Sequence, residues 1–288
     1  MAKKRSPKDP VCKECGNITI KISWSKLRTH EECKQKAHLQ SSGKRAQMED
    51  FRMFFPGTVT DRVVRDWLLE SPEDNLGRMP SMVVEAMERE EQNILDGRGS
   101  LRWKSKGDRE EVKDLCIRAV TQIEPDLQRL VLPYEYQPDF RFKVPLDVEH
   151  PGGGFGQVIL NGAMDILVRD HEGNFQVWDV KHTQNNDYWR KTEGQLTFYD
   201  LAVELAFERP TTVTGLLQPL CTDTVKSFEI SADKRAQMLQ RISSMAKDLW
   251  EGNVEPRDDN KYCNYCAVKH ACVKFQPVIK DGKKRMPL

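Results

Sequence analysis

The sequence predicts an α/β protein in which helices precede and follow a central group of strands. Apolar residues recur at helical spacing through much of the first half of the chain, and strands with alternating apolar and polar residues follow. With 288 residues, the chain is long enough to form one large domain or two small ones. Helices are expected over 25–40, 57–70, 80–96, 109–130, 188–207 and 231–250.

The composition is that of a polar globular protein. Hydrophobic residues make up 38% of the chain and charged residues 31%, with a mean hydropathy of −0.66. No apolar run approaches the roughly 20 residues that a membrane-spanning helix needs. The charged start of the chain lacks the apolar stretch of a secretion signal. We therefore expect a cytoplasmic protein that does not contact a membrane.

Charge is distributed unevenly along the chain, although the formal net charge is only +1. Residues 1–50 contain 12 Lys or Arg and 6 Asp or Glu, and residues 257–288 contain 8 and 3. The intervening 51–256 contains 25 and 35, so the middle of the chain is acidic. Basic ends around an acidic middle predict an anionic partner such as DNA, with solvated basic tails as the alternative.

The most informative segment is a β-hairpin predicted over 157–183. Because side chains alternate along a strand, Asp179 and Lys181 share one face of the second strand, and Asp165 in the first strand can meet Asp179. Neighbouring carboxylates repel each other unless a cation lies between them, and Mg²⁺ or Mn²⁺ prefers such oxygen ligands. A lysine beside them can orient or deprotonate a metal-bound water, which favours phosphodiester hydrolysis. An exposed salt bridge on a hairpin is the alternative interpretation.

Gln195 and Tyr199 follow on the next predicted helix, four residues apart and therefore on one face. The succession G-x-x-D, D-x-K and Q-x-x-x-Y, which includes Asp165 and Lys181, resembles the RecB-like branch of the PD-(D/E)xK nuclease superfamily. The resemblance implies a restriction-endonuclease-like core, with a mixed sheet flanked by helices, and Mg²⁺- or Mn²⁺-dependent cleavage of DNA. It also implies that Gln195 orients Lys181 or the substrate and that Tyr199 lies along the DNA path.

The same resemblance implies which groups hold the metal ion. Asp165 and Asp179 would bind it together with the carbonyl of Val180. The run FPGTVTD resembles a helix start that supplies a metal-binding histidine in this branch, and Asp61 stands where that histidine would be. Glu135, in a strand-like run, is the alternative third carboxylate. Asp61 can also be read as a solvated carboxylate that the helix dipole favours.

Eight cysteines in a cytosolic chain favour metal binding over disulfides. Cys263, Cys266 and Cys272 lie in a run that resembles the three-cysteine tail of iron–sulfur CRISPR-associated exonucleases and of related phage exonucleases. The run ISWSKLRTHEEC, which ends at Cys33, resembles the segment that supplies the first cysteine in those nucleases. The resemblance covers about 22–275 and implies one [4Fe–4S] cluster on these four thiolates.

Cys33 also belongs to a second candidate metal site. Cys12, Cys15, His30 and Cys33 have the spacing C-x2-C followed by H-x2-C, which suits zinc. One cysteine cannot serve both metals. We favour the cluster because the three C-terminal cysteines otherwise lack a fourth partner, which leaves Cys12 and Cys15 without an assigned role.

These motifs predict a domain organisation and a function. We expect an exonuclease acting on single-stranded DNA or DNA ends in recombination, repair or replication, with recombination or replication proteins as partners. If the chain is phage-encoded, it would act in the bacterial cytoplasm. A non-cleaving DNA-binding or recombination scaffold and a structure-specific endonuclease are the alternatives. The predicted parts are a basic arm with C-x-x-C at 1–21, the first cluster cysteine and a helix at 22–56, the nuclease core at 57–252 with a helical insertion at about 71–130, and the cysteine cluster with a basic tail at 253–288.

Overall fold

The described residues form two compact units. We call them the terminal unit, which takes its residues from 1–47, 143–162 and 236–288, and the central unit, which takes its residues from 48–142 and 163–235. No helix in the described part of the chain is both long and apolar enough to cross a membrane. The predicted pair Cys12 and Cys15 lies outside the described residues. The computed structural model describes residues 20–41, 51–52, 54–70, 72, 75–97, 101–257, 263, 266, 268–275, 278–280 and 283–285.

The helices begin and end close to the predicted positions. Ser23 and Ser105 accept hydrogen bonds from the first turns of the helices that begin at Trp24 and Lys106. Pro56 and Pro80 lie at the starts of the helices that begin at Phe55 and Met79, where a missing N–H costs nothing. The helices are α1 (Trp24–Glu32), α2 (Lys34–Ser41), α3 (Phe55–Leu69), α4 (Met79–Asp96), α5 (Lys106–Leu130), α6 (Trp189–Phe207) and α7 (Ala232–Trp250). The strands are β1 (Ile20–Ile22), β2 (Glu135–Glu149), β3 (Phe155–Arg169), β4 (Phe175–Val180), β5 (Thr211–Leu217), β6 (Val225–Phe228), β7 (Val278–Lys280) and β8 (Lys283–Arg285).

The central unit contains a mixed sheet, as predicted. The second half of β3 pairs antiparallel with β4, β4 pairs parallel with β5, and β5 pairs antiparallel with β6. In the tight turn between β3 and β4, the Asp170 carboxylate accepts hydrogen bonds from the backbone N–H groups of Glu172 and Asn174. Gly173 supplies the positive φ of +81° that the turn requires. This hairpin fixes the register on which the candidate site depends.

Helices cover both faces of this sheet within the central unit. Ile166, Val168, Trp178 and Val180 on one face belong to an apolar core that also includes buried residues of α3, α4 and α5. Burying each such large side chain contributes about 1.5–3 kcal/mol. The opposite face contacts α6, where Phe207 stacks on Phe175 with 4.3 Å between ring centroids. The result is a three-layer α/β/α arrangement.

The terminal unit differs from the prediction at β1, at Cys33 and in the antiparallel pairing of β7 with β8, which was not predicted. Strand β1, which the sequence analysis did not predict, pairs parallel with the first half of β3. The helix expected over 25–40 is divided into α1 and α2 at Cys33, whose backbone is extended with φ −166° and ψ 111°. Helices α1 and α7 are joined by the Glu31–Arg241 ion pair at 2.6 Å. The break at Cys33 therefore lies in a segment that is anchored on its α1 side.

Candidate active site

The register of β3 and β4 places the two predicted carboxylates opposite each other. Ile166 pairs with Trp178, so Asp165 and Asp179 are the next residues along the ladder and share the face that contacts α6. Their carboxyl groups lie within hydrogen-bond reach of each other. Asp165 Oδ2 also accepts a hydrogen bond of 2.8 Å from the backbone N–H of Val180. The hairpin alone therefore brings both acids together.

Lys181 extends the same face beyond the end of β4. Its Nζ lies 2.5 Å from Asp179 Oδ2 and donates a hydrogen bond of 3.3 Å to the carbonyl of Val180. Burial opposes the charge on this amine, but the carboxylates of Asp179, Asp165 and Asp61 raise its pKa above the ordinary value. Burial raises the pKa of the Asp179 carboxyl to about 7, with Lys181 opposing and Asp165 adding to this shift. The ammonium thus opposes the protonation of Asp179 that burial favours.

Helix α6 supplies the other two predicted residues. Gln195 Nε2 donates hydrogen bonds to Asp179 Oδ1 at 3.0 Å and to the Tyr199 hydroxyl at 2.9 Å. Tyr199 is only 7% exposed, and its ring lies edge-on to Phe142 with 6.1 Å between centroids. Burial raises the pKa of the Tyr199 phenol, so the phenol is neutral. Tyr199 therefore lies where it can hold Gln195 against Asp179, and its place along the DNA path stays a prediction.

Asp61 reaches the same carboxylates from α3. With Asp165 and Val180 it lines a cavity of about 140 Å³, through which its own side chain remains exposed to solvent. The surrounding protein atoms and the charges of Asp165 and Asp179 nevertheless raise the pKa of Asp61 well above its ordinary value, and Lys181 opposes this shift. The carboxyl groups of Asp61, Asp165 and Asp179 therefore all interact electrostatically with the ammonium group of Lys181.

This cavity also contains residues that the sequence analysis did not single out. Arg62 and Arg65 line it, and Arg62 is ion-paired with Glu90. Helix spacing places Arg65, four residues after Asp61, on the same face as Asp61, but it does not place Arg62 there, and it does not distinguish Arg65 from other charged residues of the helix. Asp139 also lines the cavity, with a φ of 50° that non-glycine residues seldom adopt. The guanidinium groups are placed to meet an anion that enters beside the carboxylates.

Glu135, the alternative third carboxylate, is not brought to this cavity. It lies at the start of β2, and its carboxylate is exposed and 3.6 Å from the guanidinium of Arg169. Arg169 lies four residues along β3 from Asp165. Of the two alternatives, Asp61 is therefore the one that the structure groups with Asp165 and Asp179.

The chemistry of these donors fits a hard divalent cation, although they do not form a closed coordination shell. Asp179 Oδ2 is buried and forms an ion pair with Lys181, but it accepts no well-aligned hydrogen bond from any described residue. Carboxylate and carbonyl oxygens are the ligands that Mg²⁺ prefers. In the described part of the chain, however, no three His, Cys, Asp or Glu side chains converge closely enough to hold a metal ion. The groups that can supply ligands here are Asp61, Asp165, Asp179 and the carbonyl of Val180.

The four cysteines of the predicted cluster lie in the terminal unit. Burial raises the pKa of the Cys272 thiol, and the proximity of Cys33, Cys266 and Cys263 adds to this shift. The four sulfur atoms therefore lie in one neighbourhood, and none is in a disulfide. Cys272 Sγ lies 3.5 Å from Gln35 Oε1. Like the carboxylates, these described cysteines do not converge into a ligand group as they stand.

His30, which belongs to the alternative zinc site, faces a carboxylate. It is buried, and its Nε2 lies 3.4 Å from Asp248 Oδ2. The other oxygen of this carboxylate, Oδ1, lies 2.8 Å from Lys34 Nζ. Burial lowers the pKa of His30, so the imidazole is neutral near pH 7. Since Cys12 and Cys15 lie outside the described residues, the zinc site stays a prediction.

Comparisons with known proteins identify the family and the fold of this chain. The crystal structure of a "Putative exonuclease" from Eubacterium rectale aligns with 90% of this chain and 90% of its own, with a TM-score of 0.51 and 12% identity, which indicates a similar fold. The crystal structure of SSO0001 aligns with 75% of this chain and 95% of its own at 17% identity, but its TM-score of 0.34 is too low to relate the folds. No curated protein matches the sequence. The family model of the PD-(D/E)XK nuclease superfamily matches residues 21–273, and the mixed sheet between helices fits the restriction-endonuclease-like fold of such enzymes. This chain belongs to the PD-(D/E)XK nuclease superfamily.

Proposed function

We propose that this nuclease is a metal-dependent deoxyribonuclease that acts as an exonuclease on single-stranded DNA or DNA ends. The observation that carries the proposal is the grouping of Asp165, Asp179 and Lys181 on one face of two paired segments. Nucleases of this superfamily generally use divalent metals such as Mg²⁺. The name of the structurally similar protein from Eubacterium rectale supports an exonuclease, although the similarity itself concerns the fold.

The carboxylates have one role in this proposal, which is to hold Mg²⁺ or Mn²⁺. Asp165, Asp179 and the carbonyl of Val180 would bind the ion, with Asp61 as the third carboxylate. Such an ion, when bound, activates a water and stabilises negative charge on the phosphate. The raised pKa values of Asp61 and Asp179 support this assignment, because acids crowded in this way favour either a proton or a cation between them.

Lys181 would act on the water and on the scissile phosphate. Its ammonium keeps its proton at Nζ because three carboxylates raise its pKa. A protonated amine can donate hydrogen bonds to the attacking water or to a phosphate oxygen and can offset the charge that develops there. Arg62 and Arg65, which line the same cavity, would add positive charge along the path of the phosphate.

Gln195 and Tyr199 would position the carboxylate and not touch the reacting atoms. Gln195 occupies Oδ1 of Asp179, which leaves Oδ2 as the oxygen available to the cation and to Lys181. The Tyr199 hydroxyl accepts a hydrogen bond from Gln195 and limits the rotation of the Gln195 amide. Partners of this kind around a ligating carboxylate generally fix its orientation.

We further propose that the chain belongs to the RecB-like branch and binds one [4Fe–4S] cluster through Cys33, Cys263, Cys266 and Cys272. The shared neighbourhood of the four sulfur atoms supports this assignment. All four would serve as thiolates, which suits iron–sulfur ligation. The cluster would then join the segments 22–56 and 253–288. Zinc at Cys33 is the alternative.

The experiment that tests the cleavage proposal is digestion of end-labelled single- and double-stranded DNA with Mg²⁺, with Mn²⁺ or with EDTA. We expect metal-dependent loss of nucleotides from the ends, while circular single-stranded DNA stays intact. Cutting of the circle would indicate an endonuclease. Binding without cleavage under any metal would indicate a DNA-binding scaffold and would overturn the proposal.

A further inference from the structure

A second cavity of the central unit lies away from the carboxylates. It has a volume of about 640 Å³, within the range of pockets that bind small molecules. Phe175 and Asp179 share one face of β4 and are four residues apart along the strand, which is about 13 Å. The cavity is therefore distinct from the one that Asp61 and Asp165 line.

One side of this cavity is aromatic. Phe140, Phe175 and Phe207 line it, and the centroids of Phe140 and Phe207 are 6.1 Å apart. Phe207 stacks on Phe175 at an angle of 23° and keeps 38% of its own surface exposed. An exposed phenylalanine face that is held by a second ring offers a rigid platform for another planar group.

The other side carries two positively charged groups. A side chain added to Gly173 would meet a guanidinium nitrogen of Arg169 at 3.6 Å and one of Arg209 at 3.7 Å, so both guanidinium groups lie beside this turn. Arg169 is 3.6 Å from Glu135, which neutralises part of its charge. Arg209 is exposed and makes no ion pair or hydrogen bond with any described residue. One guanidinium group is thus available to an anion.

The backbone places Arg209 at this position. Helix α6 ends after Phe207, and Glu208 adopts a left-handed conformation with φ 58°. This conformation costs about 1–2 kcal/mol for a residue with a side chain. It turns the chain at Glu208, so that Arg209, two residues after Phe207, lines the same cavity. The aromatic platform and the cation therefore lie close together at the C-terminal end of α6.

We propose that this second cavity binds a nucleoside phosphate, with the base stacked on Phe207 and the phosphate bound by Arg209 and Arg169. A purely apolar ligand would leave the guanidinium group of Arg209 without a partner, and a bare anion would make no use of the rings. Aromatic side chains bind bases of any sequence, and arginine binds phosphate oxygens through paired N–H groups. The ligand can be a nucleotide within a DNA strand or a free nucleotide, and the site does not depend on the cleavage chemistry proposed above.

The test is calorimetric titration of the full chain, in EDTA, with dTMP, thymidine, inorganic phosphate and a 5′-phosphorylated tetrathymidylate. We expect one dTMP per chain, bound about tenfold more tightly than thymidine or phosphate alone, because both stacking and charge contribute. Arg209→Gln and Phe207→Leu should each weaken dTMP binding by about tenfold. Arg129→Gln is the matched control, because that arginine is 65% exposed on α5 and outside the cavity.

Each outcome has a defined meaning. Tighter binding of the tetranucleotide than of dTMP supports the site as one for a DNA strand, and equal binding supports it as one for a free nucleotide. Inorganic phosphate that binds as tightly as dTMP, or dTMP binding that neither variant weakens, overturns the proposal. Because the titration contains no divalent metal and no cleavage is measured, its failure is separate from a failure of the nuclease assignment.

Discussion

The Lys181 ammonium lies 2.5 Å from Asp179 Oδ2 and 3.3 Å from the Val180 carbonyl oxygen. Both oxygens are among the groups that we assign to the metal ion. The lysine therefore supplies, without a metal, the positive charge that these oxygens require. A divalent cation that binds to them must compete with this ammonium, which can then turn toward the water and the phosphate. One amine is thus placed to stabilise both the metal-free chain and the reaction.

The first prediction concerns the loss of this amine. Lys181→Ala should lower the rate of DNA cleavage by about 100-fold or more, the effect of removing a donor that acts on developing charge. DNA binding should change little, and so should the thermal unfolding midpoint in Mg²⁺, because the cation then supplies the positive charge that the lost ammonium gave to the carboxylates. Asp179→Ala should abolish cleavage equally. The measurement is release of label from single-stranded DNA in Mg²⁺.

Lys191→Ala is the matched control for this variant. Lys191 is an exposed lysine on α6 near the ring of Tyr188, so its loss should leave the cleavage rate unchanged. Wild-type activity in Lys181→Ala would contradict the assignment of the amine. Cleavage that persists in EDTA would contradict the metal requirement.

The second prediction concerns the residue that holds Asp179. Gln195→Ala leaves Asp179 Oδ1 without its donor, so the carboxylate can rotate. We expect kcat to fall by about 10- to 100-fold and the Mg²⁺ concentration for half-maximal activity to rise, as for other groups that orient a metal ligand. Tyr199→Phe, which removes only the hydroxyl behind Gln195, should have a smaller effect. A normal metal requirement in Gln195→Ala would show that Gln195 does not position Asp179.

The central grouping of this site was predictable because its geometry is local. Alternation along two strands of one hairpin is enough to place Asp165, Asp179 and Lys181 together. The position of Glu135 was not predictable in this way. Its carboxylate depends on how β2 lies along β3, which no short-range pattern specifies, and the structure places it beside Arg169.

Features that depend on tertiary packing were missed for the same reason. Arg62 and Arg65 lie on a helix with several charged residues, and only the approach of α3 to the hairpin distinguishes them. Strand β1 has three residues, which is too short for a reliable alternation pattern. The break between α1 and α2 at Cys33 carries no proline or glycine signal. The sequence therefore predicted the longer elements better than the contacts between them.

The third prediction tests the iron–sulfur assignment. Anaerobically purified protein should be brown, and Cys33→Ser should lose iron and thermal stability together, because structural metals contribute to folding. Cys221→Ser is the matched control, since that thiol lies in the central unit beside the Thr183 carbonyl. It should keep its iron. Zinc without iron, released by Cys12→Ser as well as by Cys33→Ser, would show that the zinc site is correct.

The last prediction concerns pH and a histidine that packs beside α3. His182 Nδ1 lies 2.9 Å from Thr60 Oγ1, whose own hydroxyl donates to the Pro56 carbonyl, so Nδ1 carries the proton. Nε2 is buried and has no hydrogen-bond partner among the described residues. Burial, together with the charge of Arg118, lowers the pKa of His182 to about 4.

Between pH 6.5 and 4 the unfolded chain then binds one more proton than the folded chain. The free energy of unfolding therefore falls by up to about 1.4 kcal/mol per pH unit as the solution is acidified. His182→Gln should flatten this decline in thermal midpoints measured from pH 7 to pH 5, whereas His171→Gln, at an exposed position, should not. Equal pH profiles for both variants and the wild type would show that His182 titrates normally.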